Sequence, residues 1–226
     1  LQCIDIAHNL AIKKMINGFI NCPVDKKIFR GKFNGMTEYV SRKNNTKKNE
    51  IMMIYNPSLS VVPLTTHIKL NKVTSYISQK KIIMKISNLN IYFKNLFKFK
   101  PKIAVLGLNP HNSEYDKNSE EVKYIIPALK KLKKMNVSVE GPFSADSFFQ
   151  KNNLKKYDVV VGMYHDQVLT PFKTIFDYDA INITLGLKYI RVSPDHGIGA
   201  NIIGKKIANS QSMFKAINFL NKAKYK

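Results

Sequence analysis

The sequence has little of several features that assign a chain to a protein class. No apolar run approaches the roughly 18 residues of a membrane helix, which argues against a helical membrane protein. No basic and apolar leader with a small-residue cleavage site is present, so nothing indicates export. The two cysteines, Cys3 and Cys22, form no CxxC pair and predict no disulfide framework. We therefore expect a soluble protein of the reducing cytoplasm.

Arginine is also scarce, although the chain is strongly basic. Lysine and arginine together number 37 against 15 acidic residues, a formal net charge of +22, yet only Arg30, Arg42 and Arg191 are arginine. Such a charge often indicates nucleic-acid binding. Here the lysines are spread along the whole chain, among many asparagines and isoleucines. We therefore interpret most of them as solvated surface residues and discount nucleic acid as a partner.

A glycine-rich dinucleotide fingerprint is missing as well. Gly197-Ile198-Gly199 lacks the third glycine that a GxGxxG motif needs, so a standard Rossmann site is not supported. Apolar runs nevertheless alternate with helical periods. Ile103–Leu108 and Val159–Val161 are typical of buried strands, and residues 120–134 of an amphipathic helix. The alternation predicts α/β architecture within the 226 residues, as one large domain or two small ones.

Three of the five histidines occur in one repeated context. His67, His111 and His165 each follow an apolar strand and a short polar turn. If the three strands are parallel neighbours, the three imidazoles lie along one edge of the sheet. Three imidazoles suit Zn²⁺, Co²⁺, Ni²⁺ or Mn²⁺ with a coordination position left open for substrate. The alternative, three unrelated loop histidines, stays open on the spacing alone.

Other polar residues near these strands are candidates for binding an anion. Lys173 follows the cluster Tyr164–Gln167, and Arg191 offers a guanidinium, which binds phosphate or carboxylate through two nitrogens. Lys173 is equally explained as one surface lysine among many. Asn182 and Thr184 are polar positions within an apolar strand, either buried and paired or facing a ligand.

Three local signals predict where elements begin and end. Thr37 is a possible helix cap before Glu38-Tyr39-Val40. Gly141-Pro142 predicts a turn after a strand, and Pro171 predicts a turn between the His-Asp-Gln cluster and Lys173.

Motifs along most of the chain carry a more specific signal. They are Cys22-Pro23-Val24, Thr37-Glu38, Leu106–His111, Ile126-Pro127-Ala128, Gly141-Pro142, Met163–Gln167, Asn182–Leu187 and Asp195-His196-Gly197. In order and spacing they resemble the 4-hydroxythreonine-4-phosphate dehydrogenase family from about residue 4 to the end. The resemblance implies an isocitrate/isopropylmalate-dehydrogenase-like α/β fold, with a mixed, largely parallel sheet flanked by helices. It also implies a metal, substrate and dimerisation domain at 31–203, with 1–30 and 204–226 completing the cofactor side.

The activity implied by the resemblance is an NAD-dependent oxidation in pyridoxal phosphate biosynthesis. A homodimer with shared active sites would oxidise 4-phosphohydroxy-L-threonine, and the β-keto acid would lose carbon dioxide. The family binds NAD without a Rossmann fingerprint and binds one divalent metal ion, Zn, Co, Mg or Mn. Its three histidine ligands match His67 and His111 of one subunit and His165 of the other.

Further site residues are implied by the same resemblance. Substrate contacts match Thr37, Lys173, Asn182 and Arg191, with Asp146 and Asp166 as possible substrate or catalytic neighbours. The loop with His196, Gly197 and Asn201 resembles the one that holds the adenosine of NAD.

Two departures from the family pattern keep other functions open. Met36 stands where family members have histidine, and a thioether cannot replace that group's hydrogen bond or charge. The family's glycine- and proline-rich amino-terminal segment has no counterpart in this sequence. The alternatives are a dehydrogenase of another 4-phosphorylated hydroxy acid, such as threonate 4-phosphate, and a non-catalytic metal-binding remnant of such an enzyme.

Overall fold

The structure, a computed structural model, describes residues 1–33, 35–46 and 49–223, without the side chain of Lys26. The chain divides into two compact units: unit 1 is residues 1–56 with 176–226, and unit 2 is residues 57–175. These boundaries differ from the predicted ones, and the functional assignment of 31–203 and of its flanks stays a prediction. Among the described helices, none has the length and hydropathy that a membrane-spanning segment needs.

Most strands are short apolar runs that are buried on both faces, as a parallel sheet requires. In unit 2 they lie in the order β3-β6-β4-β5, and each neighbouring pair is parallel. In unit 1 the order is β1-β8-β7-β2, with one parallel and two antiparallel pairs. The predicted mixed, largely parallel sheet is confirmed. The eight strands within the described residues are β1 (Gly18–Ile20), β2 (Ile51–Asn56), β3 (Leu59–Pro63), β4 (Ile103–Leu106), β5 (Val139–Phe143), β6 (Val159–Gly162), β7 (Ile181–Leu185) and β8 (Ile190–Pro194).

Helices flank the strands within each unit. The described residues form α1 (Gln2–Ile12), α2 (Met36–Asn44), α3 (Val73–Tyr76), α4 (Gln79–Phe97), α5 (Ile126–Lys134), α6 (Ala145–Phe148), α7 (Lys151–Leu154), α8 (His165–Phe176) and α9 (Gln211–Lys222). A π-helical segment, Glu121–Ile125, leads into α5. The segment Pro110–Tyr115 follows β4, and its residues 111–114 have positive φ rather than helical backbone angles.

Helix α4 shows how the apolar spacing becomes packing. Ile82, Ile86, Leu89 and Phe93 recur every three or four residues, so they form one stripe, and all four are buried. Each such side chain contributes about 1.5–3 kcal/mol when it leaves water. The Ser78 hydroxyl begins the helix by accepting a hydrogen bond from the amide of Lys81 at 3.4 Å. The lysine-rich opposite face stays in water.

Three local predictions were wrong. Gly141-Pro142 lies inside β5, where a Cβ on Gly141 would come within 2.3 Å of the Val105 carbonyl oxygen, so glycine allows the close approach to β4. Pro171 lies inside α8 rather than in a turn, because Gln167 and Phe172 bury one side of that helix. Thr37 is the second residue of α2, and extended Gly35 precedes the helix as its cap.

Unit 1 contains a buried polar network beside its aromatic core. The Tyr189 hydroxyl lies 2.9 Å from His8 Nδ1 and accepts a hydrogen bond from Asn44 Nδ2 at 2.9 Å. The side-chain Oδ1 of Asn44 accepts a hydrogen bond from the backbone amide of Lys188 at 3.1 Å. Burial lowers the pKa of His8, and Lys43 lowers it further, so the folded chain favours the neutral imidazole. The network links α1 and α2 to the start of β8.

We predict that His8 makes the chain less stable in mild acid. Because its folded pKa lies below the ordinary value of 6.5, the unfolded chain binds the proton more readily, and stability falls as pH drops through that value. Urea unfolding at pH 7.5 and 5.5 should show a smaller difference for His8→Gln than for wild type. His196→Gln, which removes an exposed histidine, is the control. Equal changes in both variants would contradict the prediction.

Candidate active site: three histidine turns and a buried arginine

The three predicted histidines follow three adjacent strands of unit 2. Strands β3 and β4 both pair with β6 in parallel, with Val62 and Val105 each opposite Val161. The carboxyl ends of parallel neighbours meet at one edge of a sheet, which is where open α/β sheets bind ligands. The prediction of a shared histidine edge required these strands to be parallel neighbours, and they are. Register within unit 2 brings the His67, His111 and His165 turns to one edge.

The structure brings two of the three imidazoles together. The ring centres of His67 and His165 are 5.7 Å apart within one chain. The resemblance assigns this pair to different subunits, and that assignment stays a prediction. The Nδ1 atom of His165 is 2.7 Å from Asp166 Oδ1. A carboxylate on one ring nitrogen holds the proton there and leaves the other nitrogen available to a metal ion.

The third imidazole has acidic neighbours of its own. His111 Nε2 lies 3.5 Å from Asp146 Oδ2, and His111 Nδ1 lies 3.7 Å from Glu114 Oε1, all on exposed side chains. Within the part of the chain that the structure describes, no group of three or more His, Cys, Asp or Glu side chains could hold a metal ion. Within one chain, His67 and His165 thus lie together, while His111, in the turn after β4, lies between two carboxylates.

A buried carboxylate shapes the turn that carries His111. Glu121 is fully buried, and its Oε1 accepts hydrogen bonds from the amides of Leu108 at 2.7 Å and Asn109 at 2.8 Å. Its Oε2 accepts from Asn109 Nδ2 at 2.9 Å. Burial alone would raise the pKa of Glu121, but these hydrogen bonds from Asn109 and Leu108 outweigh it and lower the pKa. The ionised carboxylate therefore holds the turn.

Unit 1 contributes a buried cation. Arg191 in β8 is only 2% exposed, and its Nε donates to Asn21 Oδ1 at 2.7 Å while Nη1 donates to Thr184 Oγ1 at 3.0 Å. Burial lowers the pKa of Arg191 to about 10, with Tyr189 and Glu38 acting in the opposite direction. The group is still cationic at neutral pH. Both hydrogen-bond partners are uncharged, and the nearby Glu38 carboxylate offsets part of the charge.

Two polar residues of β7 lie on the same face as Arg191. Thr184 is opposite Arg191 in the β7–β8 register, and Asn182 is two residues away, opposite Ser193. Thr184 is buried, and its hydroxyl accepts a hydrogen bond from Arg191. Of the two alternatives for Thr184, the buried and paired side chain is therefore the one observed. Among the described residues, the buried Asn182 Oδ1 has no hydrogen-bond partner. A buried acceptor of this kind is rare in a folded chain and is available to a donor group on a ligand.

The other predicted site residues lie in several elements. Thr37 is half-buried in the first turn of α2, and Lys173 is exposed on α8. His196 and Gly197 are exposed on the loop after β8, where the imidazole Nδ1 lies 2.8 Å from the Gly197 carbonyl oxygen. Asn201 is exposed in a short 3₁₀ segment, Ala200–Ile202. Their roles toward substrate and NAD stay predictions.

Sequence reasoning missed Asn21 and the function of Glu121. Asn21 is buried at the end of β1, and its Nδ2 donates to the Cys22 carbonyl oxygen at 2.9 Å, which directs Oδ1 toward Arg191. An asparagine at the end of an apolar strand was a weak signal. Glu121 had a clearer sequence signal, because it is an acidic residue on the apolar face of the helix predicted over residues 120–134.

The sequence matches the family described as "Pyridoxal phosphate biosynthetic protein PdxA" over residues 1–220. It is 39% identical over 214 residues to 4-hydroxythreonine-4-phosphate dehydrogenase of Aquifex aeolicus, covering 93% of this chain and 66% of that one. The Sulfurihydrogenibium protein of the same name is 41% identical over 211 residues, covering 91% and 65%. The chain therefore spans about two thirds of the length of these curated relatives.

Solved structures agree on the fold. The crystal structure of 4-hydroxythreonine-4-phosphate dehydrogenase from Klebsiella pneumoniae superimposes with a TM-score of 0.82 at 32% identity, covering 97% of this chain and 68% of that one. An isocitrate dehydrogenase from Methylococcus capsulatus gives a TM-score of 0.56 at 12% identity, covering 89% and 66%. The second likeness concerns the fold alone and confirms the predicted isocitrate-dehydrogenase-like architecture.

We predict that Glu121→Gln loses about 1–3 kcal/mol of stability at pH 7, because one amide hydrogen bond to Asn109 is replaced by an unfavourable contact. The folded pKa of Glu121 lies below its ordinary 4.5, so its contribution is present above that value and is lost as pH falls through the folded pKa. Urea unfolding from pH 7 to 3 should therefore be less pH-dependent for the variant. Glu114→Gln, on an exposed side chain, is the control; an identical profile for both variants would refute the assignment.

Proposed function

The chain belongs to the family of pyridoxal phosphate biosynthetic protein PdxA, and on this premise we propose that it is a 4-hydroxythreonine-4-phosphate dehydrogenase. The proposed reaction oxidises 4-phosphohydroxy-L-threonine with NAD to 2-amino-3-oxo-4-phosphobutanoate. Decarboxylation then gives 3-amino-2-oxopropyl phosphate for pyridoxal phosphate synthesis. The observation that carries the proposal is the placement of three histidine turns at the ends of three adjacent parallel strands.

His67, His111 and His165 are the residues that would hold a divalent metal ion, Zn, Co, Mg or Mn. Their chemistry fits such an ion, since two imidazoles already face each other and each of two histidines has a carboxylate within 3.5 Å. When bound, the ion supplies Lewis acidity, which acidifies a chelated hydroxyl and stabilises a developing carbonyl or enolate. Asp166 would orient the His165 imidazole, and Asp146 the His111 imidazole, through their contacts with ring nitrogens.

Arg191 and its neighbours would bind the charged ends of the substrate. The guanidinium is a buried cation whose two hydrogen-bond partners are neutral, and the nearby Glu38 carboxylate offsets only part of its charge. It would therefore attract an anionic phosphate or carboxylate. Asn182 offers an unpaired buried acceptor to the substrate's hydroxyl or ammonium group. Thr37 and Lys173 are the further proposed contacts, one a hydroxyl donor and one a mobile cation. Arg191 and Lys173 would each favour an anionic part of the substrate, such as its phosphate.

The exposed loop after β8 would contact the cofactor. His196, Gly197 and Asn201 offer an imidazole, a bare backbone and an amide to the adenosine part of NAD, whose hydride chemistry is its own. The proposed enzyme is a cytoplasmic homodimer whose subunits share each active site. Two free, exposed cysteines, Cys3 and Cys22, are consistent with a reducing compartment.

One observation favours the related substrate, a different 4-phosphorylated hydroxy acid. Met36, which stands where the family has histidine, is half-buried and packs against the aromatic core of unit 1 with Phe29, Tyr39 and Val40. The thioether therefore offers a substrate no hydrogen bond at this position. A substrate that lacks the amino group, such as threonate 4-phosphate, would need fewer hydrogen-bond partners from the protein at this position.

The activity is tested with the full-length protein, NAD and added Zn²⁺, Co²⁺ or Mn²⁺. NADH formation is expected with 4-phosphohydroxythreonine and not with unphosphorylated 4-hydroxythreonine. Turnover of threonate 4-phosphate alone would support the related dehydrogenase. Bound metal without turnover of either substrate would indicate the non-catalytic remnant.

We predict that His165→Ala loses bound metal, measured as metal per subunit after dialysis, because it removes one of the three proposed imidazole ligands. His196→Ala removes an exposed histidine from the loop after β8 and should retain the metal. Equal metal content in the two variants would refute the ligand assignment.

We predict that Arg191→Lys raises KM for the phosphorylated substrate about tenfold or more, because a charge-assisted hydrogen bond contributes about 1.5–3 kcal/mol and lysine cannot keep the bonds to Asn21 and Thr184 together. Steady-state kinetics measure the change. Arg42→Lys, on exposed Arg42 of α2, is the matched control and should leave KM unchanged. Equal KM values in both variants would contradict a role for Arg191 in substrate binding.

A further inference from the structure

The three histidine turns of unit 2 are connected by hydrogen bonds beyond the end of the sheet. Where β3, β6 and β4 stop pairing, their turns still contain backbone amides and carbonyls that need partners. Side chains of Gln167 and Thr65 supply several of these partners. Both side chains are buried, so the bonds form where water does not compete.

Gln167 connects the turn after β6 with the end of β4. Its Oε1 accepts a hydrogen bond from the amide of Met163 at 2.7 Å, and its Nε2 donates to the Gly107 carbonyl oxygen at 2.7 Å. Gln167 lies two residues after His165, and Gly107 lies four residues before His111. One amide side chain therefore spans the two strands whose turns carry these histidines.

Thr65 extends the connection to the third turn. Its hydroxyl donates to the Met163 carbonyl oxygen at 2.7 Å, and its amide donates to the same oxygen at 3.2 Å. Met163 is thus held through its amide by Gln167 and through its carbonyl by Thr65, two residues before His67. The path Thr65–Met163–Gln167–Gly107 joins the turns of all three histidines.

Gly162 makes room for the amide of Gln167, and Gly107 makes room for Asn112 and Glu121 beside the His111 turn. A Cβ on Gly162 would lie 2.9 Å from Gln167 Oε1 and 2.4 Å from Val168 Cγ1. A Cβ on Gly107 would lie 2.0 Å from Asn112 Oδ1 and 3.1 Å from Glu121 Oε1. A larger residue at Gly162 would displace Gln167, and one at Gly107 would displace Asn112 and Glu121. Glu121 supports the same turn from its other side through the amides of Leu108 and Asn109.

We propose that Gln167 is a positioning residue that sets the spacing of the histidine turns, with Thr65 as its partner in the connection. The proposal rests on the proposed function, in which His67 and His111 of one subunit and His165 of the other would hold the same metal ion. The placement of each turn on the sheet then affects both sites of the dimer. Gln167 touches neither metal nor substrate and acts through Met163 and Gly107. Partners that orient metal ligands typically change metal affinity 10–100-fold when they are removed.

The test uses Gln167→Glu, which has the same shape, in the full-length protein. Glutamate still accepts from the Met163 amide but cannot donate to the Gly107 carbonyl, so only the connection between strands is lost. We expect Co²⁺ affinity, measured by competition with a chelating dye, to fall about tenfold or more. The visible absorption of bound Co²⁺ should also change, because the arrangement of the nitrogens around it changes. Gln150→Glu adds the same charge at an exposed residue and should bind Co²⁺ like wild type.

Thr65→Val is the second variant, since it keeps the branched shape and loses only the hydroxyl bond to Met163. It should also weaken Co²⁺ binding, and it decides the matter if Gln167→Glu does not fold. Lower thermal stability of the variants with Co²⁺ affinity and spectrum unchanged would overturn the positioning role and leave the proposed function intact. Wild-type protein that binds no Co²⁺ would overturn the proposed function, and this proposal with it.

Discussion

Parallel pairing of β3 and β4 with β6 is the constraint on which the candidate active site depends. All three strands are buried on both faces, so their register cannot slip without exposing valines or burying polar groups. Parallel strands in register end together, and the residues that follow them must share one edge. The histidines are 44 and 54 residues apart in the chain. Only this pairing makes them neighbours, and the hydrogen bonds of Gln167, Thr65 and Glu121 continue it beyond the last ladder bond.

Positive charge is found in two different settings, exposed lysines and the buried Arg191. Most of the lysines contribute to the net charge from exposed positions, where solvent screens them, and they create no defined anion site. Arg191 is the opposite case, because it is buried and held by Asn21 and Thr184. A cation in this position has lost its water and has gained two neutral hydrogen-bond partners, with Glu38 as a nearby anion, so it still favours an anion. In the proposed function, this one arginine would matter more to substrate selection than many exposed lysines.

Elements with a strong local period were predictable, and those decided by packing were not. The buried strands β4 and β6 and helix α4 follow directly from apolar spacing. The His-Asp-Gln cluster was expected in a loop before a Pro171 turn, yet it forms the first turn of α8, because Gln167 is held by Met163 and Gly107. Gly141-Pro142 looked like a turn, yet it pairs in β5 because Gly141 tolerates the Val105 carbonyl. Local propensity cannot anticipate a partner that lies 60 residues away.

By itself, the sequence determined the α/β class, the order of the main strands and helices, the family, and the residue types that the proposed chemistry needs. These properties depend on short-range periodicity and on motifs that can be compared directly. Tertiary structure alone decided that β3, β6 and β4 are neighbours, that His67 faces His165, and that His111 instead lies beside Asp146. It also decided that Arg191 is buried. The physical reason is that strand order and register are set by long-range pairing and packing, which no local pattern of residues encodes.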